Sequence, residues 1–379
     1  MNKNIKNIEI SGIRKFFNKM EKYPNAISLT LGQPDFDVPD KIKEGIINAL
    51  NNGKSKYTPN AGIIELREAI SEFLKTLNIN YSKDEIMLTV GGSEGLFISM
   101  VSLLNAKDSI LIPSIAYPAY ESIAKLIGVE IITYELNNDF SVNIDNLKEG
   151  IKKGGKVLIL SYPCNPTGAL LSKECKNELI EVIKDNDICV ITDEIYASLC
   201  FEDNYYSVAQ CDEIKDKIIY VSGFSKMFAM PGLRLGYVCC KKELYDQILK
   251  VHQYDVSCAS SIVQWGALTG LKNCLNDVEY MKKSFKDRME FVYNELLDIG
   301  FEVNKPNGAF YIFPSISKYG MKSEEFCEKL LKEKGVACVP GDAFGVGGEG
   351  FLRISYCYSM DELKIALKRL REFVKTIQY

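Results

Sequence analysis

Short apolar runs alternate with helical periodicity between about residue 60 and residue 240. The apolar runs predict strands at 86–90, 109–112, 129–134, 156–160, 188–192 and 217–221. Apolar residues recur every three to four positions over 63–77, and residues 174–184 are amphipathic, so both segments predict helices. Alternation of strands and helices is typical of a parallel sheet with crossover helices. The pattern therefore predicts an α/β fold for this part of the chain.

The C-terminal part carries a different pattern. It predicts helices at 277–299 and 324–334 and strands at 301–303, 309–313 and 351–356. This mixture is typical of a smaller α+β domain. Since a domain commonly holds about 150 residues, we expect a large domain over 46–275 and a small domain over 276–379. The N-terminal segment, 1–45, is expected to form part of the small domain.

Composition excludes several classes of function. The chain has 379 residues, of which 46% are hydrophobic and 25% charged, and its net charge is -4 without acidic or basic blocks. Such a balance gives no electrostatic footprint for nucleic acid. The first residues are polar and charged with no apolar run behind them, so neither a signal peptide nor a membrane span is expected. We therefore expect a cytoplasmic protein without a membrane partner.

Cysteine and histidine usage narrows the chemistry. None of the twelve cysteines forms a C-x-x-C pair and the first 163 residues have none, so we expect reduced, mostly buried thiols. His252 is the single histidine, which excludes a multi-histidine metal site. We expect no metal, and chemistry that comes from lysine, carboxylates, tyrosines or a cofactor.

Lys226 is the leading candidate for that chemistry. It lies among small residues in the segment 222–236, and Arg234 follows eight positions later within Gly-Leu-Arg-Leu-Gly. Small neighbours admit a bulky ring, and the arginine can bind a phosphate. This arrangement is typical of a lysine that forms a Schiff base with pyridoxal phosphate. The alternative is a solvated lysine on a loop.

Two polar residues come at or soon after the end of the strand predicted at 188–192. Asp193 can hold a pyridine nitrogen protonated, because ligands bind at the carboxyl ends of strands in open α/β sheets. Its alternative role is to cap a following helix. Tyr196 falls on the same face if a helical turn starts at Asp193, which would bring a phenol to the same ligand.

Three further segments follow predicted strands. Asn165 lies in Asn-Pro-Thr-Gly, which is either a structural turn or the source of an amide donor for a phenolic oxygen. Gly92 and Ser93 open an apolar helix whose free N–H groups suit a single phosphate better than a nucleotide. Tyr117 offers either a face for stacking a flat ring or a core packing contact.

Arg353 interrupts an apolar strand near the C-terminus. A buried arginine requires an anionic partner. A substrate carboxylate bound by both arms of the guanidinium and an internal salt bridge are both open interpretations.

Together these segments resemble the class I aminotransferases of fold type I over nearly the whole chain. The carriers are Gly-Phe-Ser-Lys with Arg234, the glycine-rich segment, Asn-Pro-Thr-Gly, Asp-Glu-Ile-Tyr and the C-terminal arginine, in the family's order. The resemblance implies a large domain with a mostly parallel seven-stranded sheet, a smaller α+β domain and pyridoxal 5'-phosphate as cofactor. It also implies an enzyme that moves an amino group between an L-amino acid and a 2-oxo acid.

The resemblance implies a role for each candidate residue. Lys226 would bond covalently to the cofactor and shuttle protons, with Asp193 on the pyridinium and Tyr196 as a further catalytic residue. The remaining implied contacts are Asn165 and Tyr196 to the ring hydroxyl, Tyr117 stacked on the ring, Gly92, Ser93 and Arg234 on the phosphate, and Arg353, Asn165 and the backbone near Gly32 on the substrate. Tyr57 would reach the phosphate of a neighbouring subunit, which implies a homodimer with shared active sites.

One position departs from the family pattern. Many members have a phosphate-binding serine three positions before the lysine, where this chain has Gly223. Either Ser222 or Ser225 is left as the substitute.

A closer likeness lies in segments 9–16, 250–254, 257–261 and 307–314, which look like the bacterial N-acetyl-LL-diaminopimelate aminotransferases of lysine biosynthesis and related aromatic aminotransferases. It implies N-acetyl-LL-2,6-diaminopimelate and 2-oxoglutarate as substrates. Aspartate or aromatic amino acids, or carbon–sulfur β-lyase chemistry, are the alternatives. A regulator that senses pyridoxal phosphate is disfavoured because no basic helix-turn-helix is evident. Arg14 and several lysines are open candidates for a distal carboxylate.

Overall fold

The computed structural model describes residues 3–8, 10 and 12–377. Glu9 and Ser11, from a segment that carries the closer likeness, lie outside the described residues, as does the side chain of Arg14. Its candidate contact with a distal carboxylate therefore stays a prediction.

The chain folds into twelve strands and thirteen α-helices within the described residues. The strands are β1 (Ile27–Ser28), β2 (Ile86–Thr89), β3 (Ser109–Pro113), β4 (Glu130–Tyr134), β5 (Gly155–Ser161), β6 (Cys189–Asp193), β7 (Ile218–Gly223), β8 (Gly236–Cys239), β9 (Tyr311–Ile312), β10 (Val336–Ala337), β11 (Val339–Pro340) and β12 (Leu352–Ser355). The helices are α1 (Gly12–Lys19), α2 (Asp40–Asn51), α3 (Ile64–Thr76), α4 (Gly91–Leu103), α5 (Ala119–Ile127), α6 (Ile144–Lys152), α7 (Lys173–Asp185), α8 (Phe224–Met227), α9 (Lys242–Asp255), α10 (Ser261–Asn273), α11 (Leu275–Ile299), α12 (Ser323–Lys334) and α13 (Met360–Ile377).

The predicted mostly parallel seven-stranded sheet is confirmed. Its strand order is β2-β8-β7-β6-β5-β3-β4, and β8 alone runs antiparallel to its neighbours. All six strands predicted between residues 86 and 221 belong to it. Sequence reasoning did not identify β8, because Gly-Tyr-Val-Cys is short and directly follows a segment dominated by the lysine motif.

Alternating side chains of the central strands enter two different hydrophobic clusters. Ile110, Ile159 and Ile191 pack into a cluster on one face of the sheet. Leu111 and Leu158, each next to one of these residues in the chain, pack into the cluster on the other face. Since successive side chains of a strand point to opposite faces, both faces are covered. This explains why these strands are continuous apolar runs rather than alternating ones.

Two smaller sheets involve the C-terminal part of the chain. Three antiparallel strands follow the order β11-β12-β9, and β1 pairs with β10 in parallel. The second pairing brings the N-terminal segment to the C-terminal part, which favours the predicted association of 1–45 with the small domain. The domain boundaries themselves stay predictions. The strand predicted at 301–303 is wrong, since only an isolated bridge from Glu302 to Ser315 forms there.

No helix within the described part of the chain combines the length and apolar character needed to cross a membrane. All twelve cysteines are free thiols, most of them buried.

Candidate active site

A cavity of about 700 Å³ lies beside the carboxyl ends of β5 and β6 and the segment that follows β7. Among the residues that line it are Gly32, Gly92, Ser93, Tyr117, Asn165, Asp193, Tyr196, Lys226, Arg234 and Arg353. The structure therefore brings together all the sequence-predicted site residues except Tyr57. Ligands of open α/β sheets bind at this edge, beyond the strand ends.

Lys226 lies on the short helix α8, directly after β7. Its Nζ donates a hydrogen bond to the backbone oxygen of Gly32. Burial lowers the pKa of Lys226 to about 8, and the positive charges of Arg353 and Arg234 act in the same direction. At pH 7 about a tenth of this amine is consequently neutral and nucleophilic, far more than of a lysine with an ordinary pKa. The solvated-loop interpretation is wrong.

Asp193 is the last residue of β6 and is 7% exposed. Its Oδ2 accepts a hydrogen bond of 2.7 Å from the hydroxyl of Tyr120, and its Oδ1 accepts one of 3.2 Å from the backbone N–H of Ile195. Burial raises the pKa of Asp193, although these hydrogen bonds and the charge of Lys226 act to lower it. A cationic nitrogen from a ligand would complete the stabilisation of this carboxylate.

The segment after Asp193 is a turn rather than the predicted start of a helix. A short 3₁₀ helix begins only at Ala197, and Asp193 does not cap it. Both the helical placement of Tyr196 and the helix-cap alternative for Asp193 are therefore wrong. The turn still brings Tyr196 into the cavity, where its hydroxyl lies 2.8 Å from that of Tyr311.

A glycine-rich turn leads from β2 into α4 and forms one end of the cavity. We call Gly91, Gly92 and Ser93 the anion cradle, because they begin α4, where backbone N–H groups have no partner within the helix. Arg234 adjoins it: a Cβ added to Gly91 would lie 2.8 Å from the guanidinium. One cation and several donors thus face the same end of the cavity.

The two serine candidates near Lys226 have different surroundings. Ser225 lines the cavity. The hydroxyl of Ser222 donates a hydrogen bond of 3.0 Å to the backbone oxygen of Glu194. Of the two, Ser225 is the better placed to contact a phosphate.

Arg353 is 1% exposed and has neutral partners. Its guanidinium donates to Asn165 Oδ1 at 2.9 Å and to the backbone oxygen of Thr30, and it lies 4.4 Å from the ring centroid of Tyr311. Its Nε has no partner within the described residues. No carboxylate of that part of the chain forms a salt bridge with Arg353, so the internal salt bridge is wrong there. A buried cation that lacks an anion suits a carboxylate ligand.

Asn165 lies in a tight turn after β5. The turn is closed by a hydrogen bond of 2.8 Å from the N–H of Gly168 to the carbonyl of Cys164. The structural-turn interpretation of this segment is therefore confirmed. Because Oδ1 accepts from Arg353, the amide keeps its N–H donors as its means of bonding a phenolic oxygen.

Sequence reasoning missed two tyrosines in the cavity. Tyr120 bonds Asp193, and its ring packs edge-on against that of Tyr117 with centroids 5.7 Å apart. Tyr311 bonds Tyr196 and approaches the N-terminal segment so closely that a Cβ on Gly32 would lie 1.7 Å from its hydroxyl. The position of Tyr120 close after Tyr117, in the same segment that follows β3, was the available signal for the first.

Tyr57 lies outside this cavity and is 89% exposed. Its predicted contact with the cofactor phosphate of a neighbouring subunit stays a prediction.

The donor set of the cavity fits pyridoxal phosphate. The cradle and Arg234 match a phosphate, the incompletely stabilised Asp193 matches a cationic ring nitrogen, and Lys226 matches an aldehyde. The guanidinium of Arg353, whose partners are neutral and whose Nε has none within the described residues, is left for a second, carboxylate-bearing ligand. The described residues contain no group of three or more His, Cys, Asp or Glu arranged to hold a metal ion.

Comparison with known proteins agrees with this geometry. The family model described as aminotransferase class I and II matches residues 24–370. The chain is 40% identical over 377 residues to the probable N-acetyl-LL-diaminopimelate aminotransferase of Bacillus subtilis, covering 99% of this chain and 95% of that one. It is 39% identical over 374 residues to the probable aspartate aminotransferase of Methanocaldococcus jannaschii, covering 97% and 98%. The crystal structure of an aromatic aminotransferase from Pyrococcus horikoshii superposes with a TM-score of 0.91 at 37% identity, covering 96% of this chain and 99% of that one.

Proposed function

This chain belongs to the class I and II aminotransferases, which are pyridoxal-phosphate-dependent enzymes, and we propose that Lys226 is its covalent cofactor attachment site and proton shuttle. The observation that carries this assignment is the convergence of Lys226, Asp193 and Arg353 on one cavity. An amine with a lowered pKa, a buried carboxylate and a guanidinium that lacks an anionic partner meet three separate requirements of amino-group transfer.

We expect contacts to the phosphate, to the ring nitrogen and to the ring oxygen of the cofactor. The anion cradle, Ser225 and Arg234 would bind its phosphate, and Asp193 would pair with its ring nitrogen. Asn165 and Tyr196 would bond its ring oxygen, and Tyr117 would contact its ring. When bound, pyridoxal phosphate supplies an electron sink for the negative charge that develops at the substrate Cα.

Lys226 would move the proton in the central step. The depressed pKa, about 8, lets its amine take a proton from the substrate Cα and release it again near neutral pH. Asp193 contributes by keeping the ring nitrogen protonated. Arg353 orients the substrate by binding its α-carboxylate with help from Asn165 and the backbone near Gly32, so that the Cα–H bond faces Lys226.

For the substrates we propose N-acetyl-LL-2,6-diaminopimelate as amino donor and 2-oxoglutarate as acceptor. The support is the similarity to the B. subtilis relative, which extends over almost the entire chain. The relatives named for aspartate and for aromatic amino acids are nearly as similar, so those substrates are the alternatives to test.

We further propose that the enzyme is a homodimer in which Tyr57 reaches the partner's cofactor phosphate. Several large apolar side chains on α2, α3 and α9 are exposed, as Tyr57 is, namely Ile47, Leu50, Ile64 and Tyr254. Two of the helices that carry them, α2 and α3, both pack on α10. Burial of these side chains against a second copy would bring Tyr57 to the neighbouring site.

The experiment that tests the function is an absorbance titration of the holoenzyme with single amino donors. N-acetyl-LL-2,6-diaminopimelate, L-aspartate, L-glutamate and L-phenylalanine are added separately, and conversion of the pyridoxal to the pyridoxamine spectrum ranks them. We expect the acetylated donor to convert the enzyme at the lowest concentration. If no donor changes the spectrum and the enzyme releases pyruvate and ammonia from cystathionine, the reaction is β-elimination rather than amino-group transfer.

Substitution of Lys226 by alanine tests the assigned role of this lysine. We expect turnover to fall by at least about 10⁴-fold, because the proton shuttle is removed, and the covalent cofactor absorbance to disappear. The matched control is Lys272→Ala, which removes a lysine from the last turn of α10 and should keep both properties. Full activity of the Lys226→Ala enzyme would contradict the proposal.

A further inference from the structure

His252 is the only histidine in the chain, and its side chain is completely buried. Its Nδ1 lies 2.6 Å from Oε1 of Glu94, and its Nε2 lies 2.9 Å from the backbone oxygen of Asn60. When Glu94 is ionised both neighbours are acceptors, and the ring then satisfies both if each nitrogen carries a hydrogen. The contacts therefore assign the imidazolium form to His252.

Glu94 connects this ring to the anion cradle. Its second carboxylate oxygen accepts the backbone N–H of Val90, the residue that directly precedes Gly91. The hydroxyl of Thr89 donates a hydrogen bond of 2.9 Å to the carbonyl of Gly91 and so also stabilises this turn. The conformation of the turn from β2 into α4 consequently depends on the position of the Glu94 carboxylate.

Asn60 connects the ring to the segment 57–61, which carries Tyr57. The side chain of Asn60 donates to the backbone oxygen of Ser257 at 2.7 Å, and the N–H of Leu88 donates to the carbonyl of Ala61 at 3.0 Å. This segment is thereby fixed to β2 and to the chain that follows α9. His252 thus touches both the cradle's support and the segment proposed to reach the partner subunit.

We propose that protonated His252 is a positioning residue that holds the anion cradle in its phosphate-binding geometry through Glu94. The inference rests on the proposed binding of pyridoxal phosphate at the cradle. Loss of the ring proton would leave Glu94 as a buried carboxylate without a cationic partner, at 8% exposure. The carboxylate would then move or admit water, and the backbone at Val90 would move with it.

The charged groups that face the ring are Glu94 from α4 and Asp255 from its own helix. Burial favours the neutral ring, but the hydrogen bond and charge of Glu94, with the Asn60 carbonyl and Asp255, outweigh it. The pKa of His252 is therefore raised above its usual value of 6.5. Because the pKa is raised, the ion pair between His252 and Glu94 is fully formed below pH 6.5. It is lost as the pH rises through the higher pKa of His252 in the folded protein.

The test compares pyridoxamine phosphate with pyridoxamine as ligands of the apoenzyme by titration calorimetry. Neither ligand condenses with Lys226. The dissociation constant of pyridoxamine divided by that of pyridoxamine phosphate therefore isolates the contribution of the phosphate. We expect His252→Asn, which keeps an N–H near Glu94 but no charge, to reduce this ratio by about tenfold at pH 7. In the wild type the ratio should fall towards the variant's value as the pH rises.

Two further variants separate positioning from general stability. Glu94→Gln should reduce the ratio as His252→Asn does, and the double variant should show no additional loss. Ser71 lies on α3, and its hydroxyl donates a buried hydrogen bond to the backbone oxygen of Tyr81. Ser71→Ala removes this bond and should lower the melting temperature without altering the ratio. Because the variants share the ionisation of the ligand with the wild type, that ionisation cancels in the comparison.

An unchanged ratio in His252→Asn, or a wild-type ratio that follows the variant's pH profile throughout, would overturn the proposal. If His252→Asn does not fold, Glu94→Gln and the wild-type profile decide the question. A wild type that binds neither ligand would contradict the proposed function instead.

Discussion

The hydroxyl of Tyr120 affects the ionisation of the buried carboxyl group of Asp193. Burial works against the ionised form of Asp193, and the hydroxyl of Tyr120, 2.7 Å from Oδ2, is the largest factor that opposes it. Since only the carboxylate can keep a ring nitrogen protonated, Tyr120 would support the proposed role of Asp193 through this hydrogen bond.

Substitution of Tyr120 by phenylalanine should therefore lower kcat by about tenfold or more, because a hydrogen bond to a charged group contributes about 1.5–3 kcal/mol. KM for the amino donor should change little. Tyr134→Phe is the matched control, since it removes an equally buried hydroxyl that bonds the backbone of Ile159 away from the cavity. Steady-state kinetics that leave kcat of Tyr120→Phe at the wild-type value would exclude the role.

The lowered pKa of Lys226 predicts the pH dependence of cofactor loading. The apoenzyme should take up pyridoxal phosphate at a rate that rises with pH and levels off above about 8, because the neutral amine is the nucleophile. Stopped-flow absorbance measures the rate, with N-acetyl-lysine in solution as the reference amine. A rate that keeps rising to pH 10, as for the reference, would show that the site does not depress the pKa.

At the scale of elements, β8 decides the geometry of the site. It lies between β2, which leads into the anion cradle, and β7, which leads into Lys226. Gly236 on β8 pairs with Thr89 on one side and Gly223 on the other. A side chain there would collide with the cradle, since a Cβ would lie 2.6 Å from the backbone of Gly91 and Gly92.

The Gly236→Ala variant should accordingly lose affinity for pyridoxal phosphate by more than about tenfold and lose about 1–3 kcal/mol of unfolding free energy. Fluorescence titration of the apoenzyme and urea denaturation measure the two effects. Gly232→Ala is the control for stability, because its Cβ would meet no atom within 4 Å. Equal stability of the two variants would mean that the strand can move away from the cradle.

At the scale of the whole molecule, the proposed dimer makes each active site depend on two chains. Lys226 lies within the cavity of its own subunit, whereas Tyr57 is exposed and does not line that cavity. A subunit that lacks Lys226 can therefore still donate Tyr57 to its partner.

Mixed dimers of Lys226→Ala and Tyr57→Ala subunits test this arrangement. Each mixed dimer would hold one site with both native residues and one with neither. Random reassociation makes half the population mixed, so about a quarter of wild-type activity should return. Activity is measured after joint unfolding and refolding, with each variant refolded alone as the control. No recovery, with mixed dimers present by mass spectrometry, would place Tyr57 outside the neighbouring site.

The sequence by itself determined those features of the fold and the site that depend on residues close together along the chain. Apolar runs separated by amphipathic segments were enough for the parallel sheet, and polar residues directly after those runs were enough for Asp193 and Asn165. The lysine segment identified Lys226 and Arg234, and order along the chain identified the family. These inferences hold because strand periodicity and turn chemistry are properties of neighbouring residues.

Only the tertiary structure decided which distant residues meet. Arg353 bonds Asn165 across 188 positions, and Tyr120 reaches Asp193 across 73. His252 lies against Glu94, 158 positions away, although the order of residues along the chain gives no indication that the two segments meet. These contacts depend on strand order, on the insertion of the antiparallel β8 and on the close packing of buried side chains. Periodicity along one chain carries no information on any of these, because each is set by the packing of whole elements against one another.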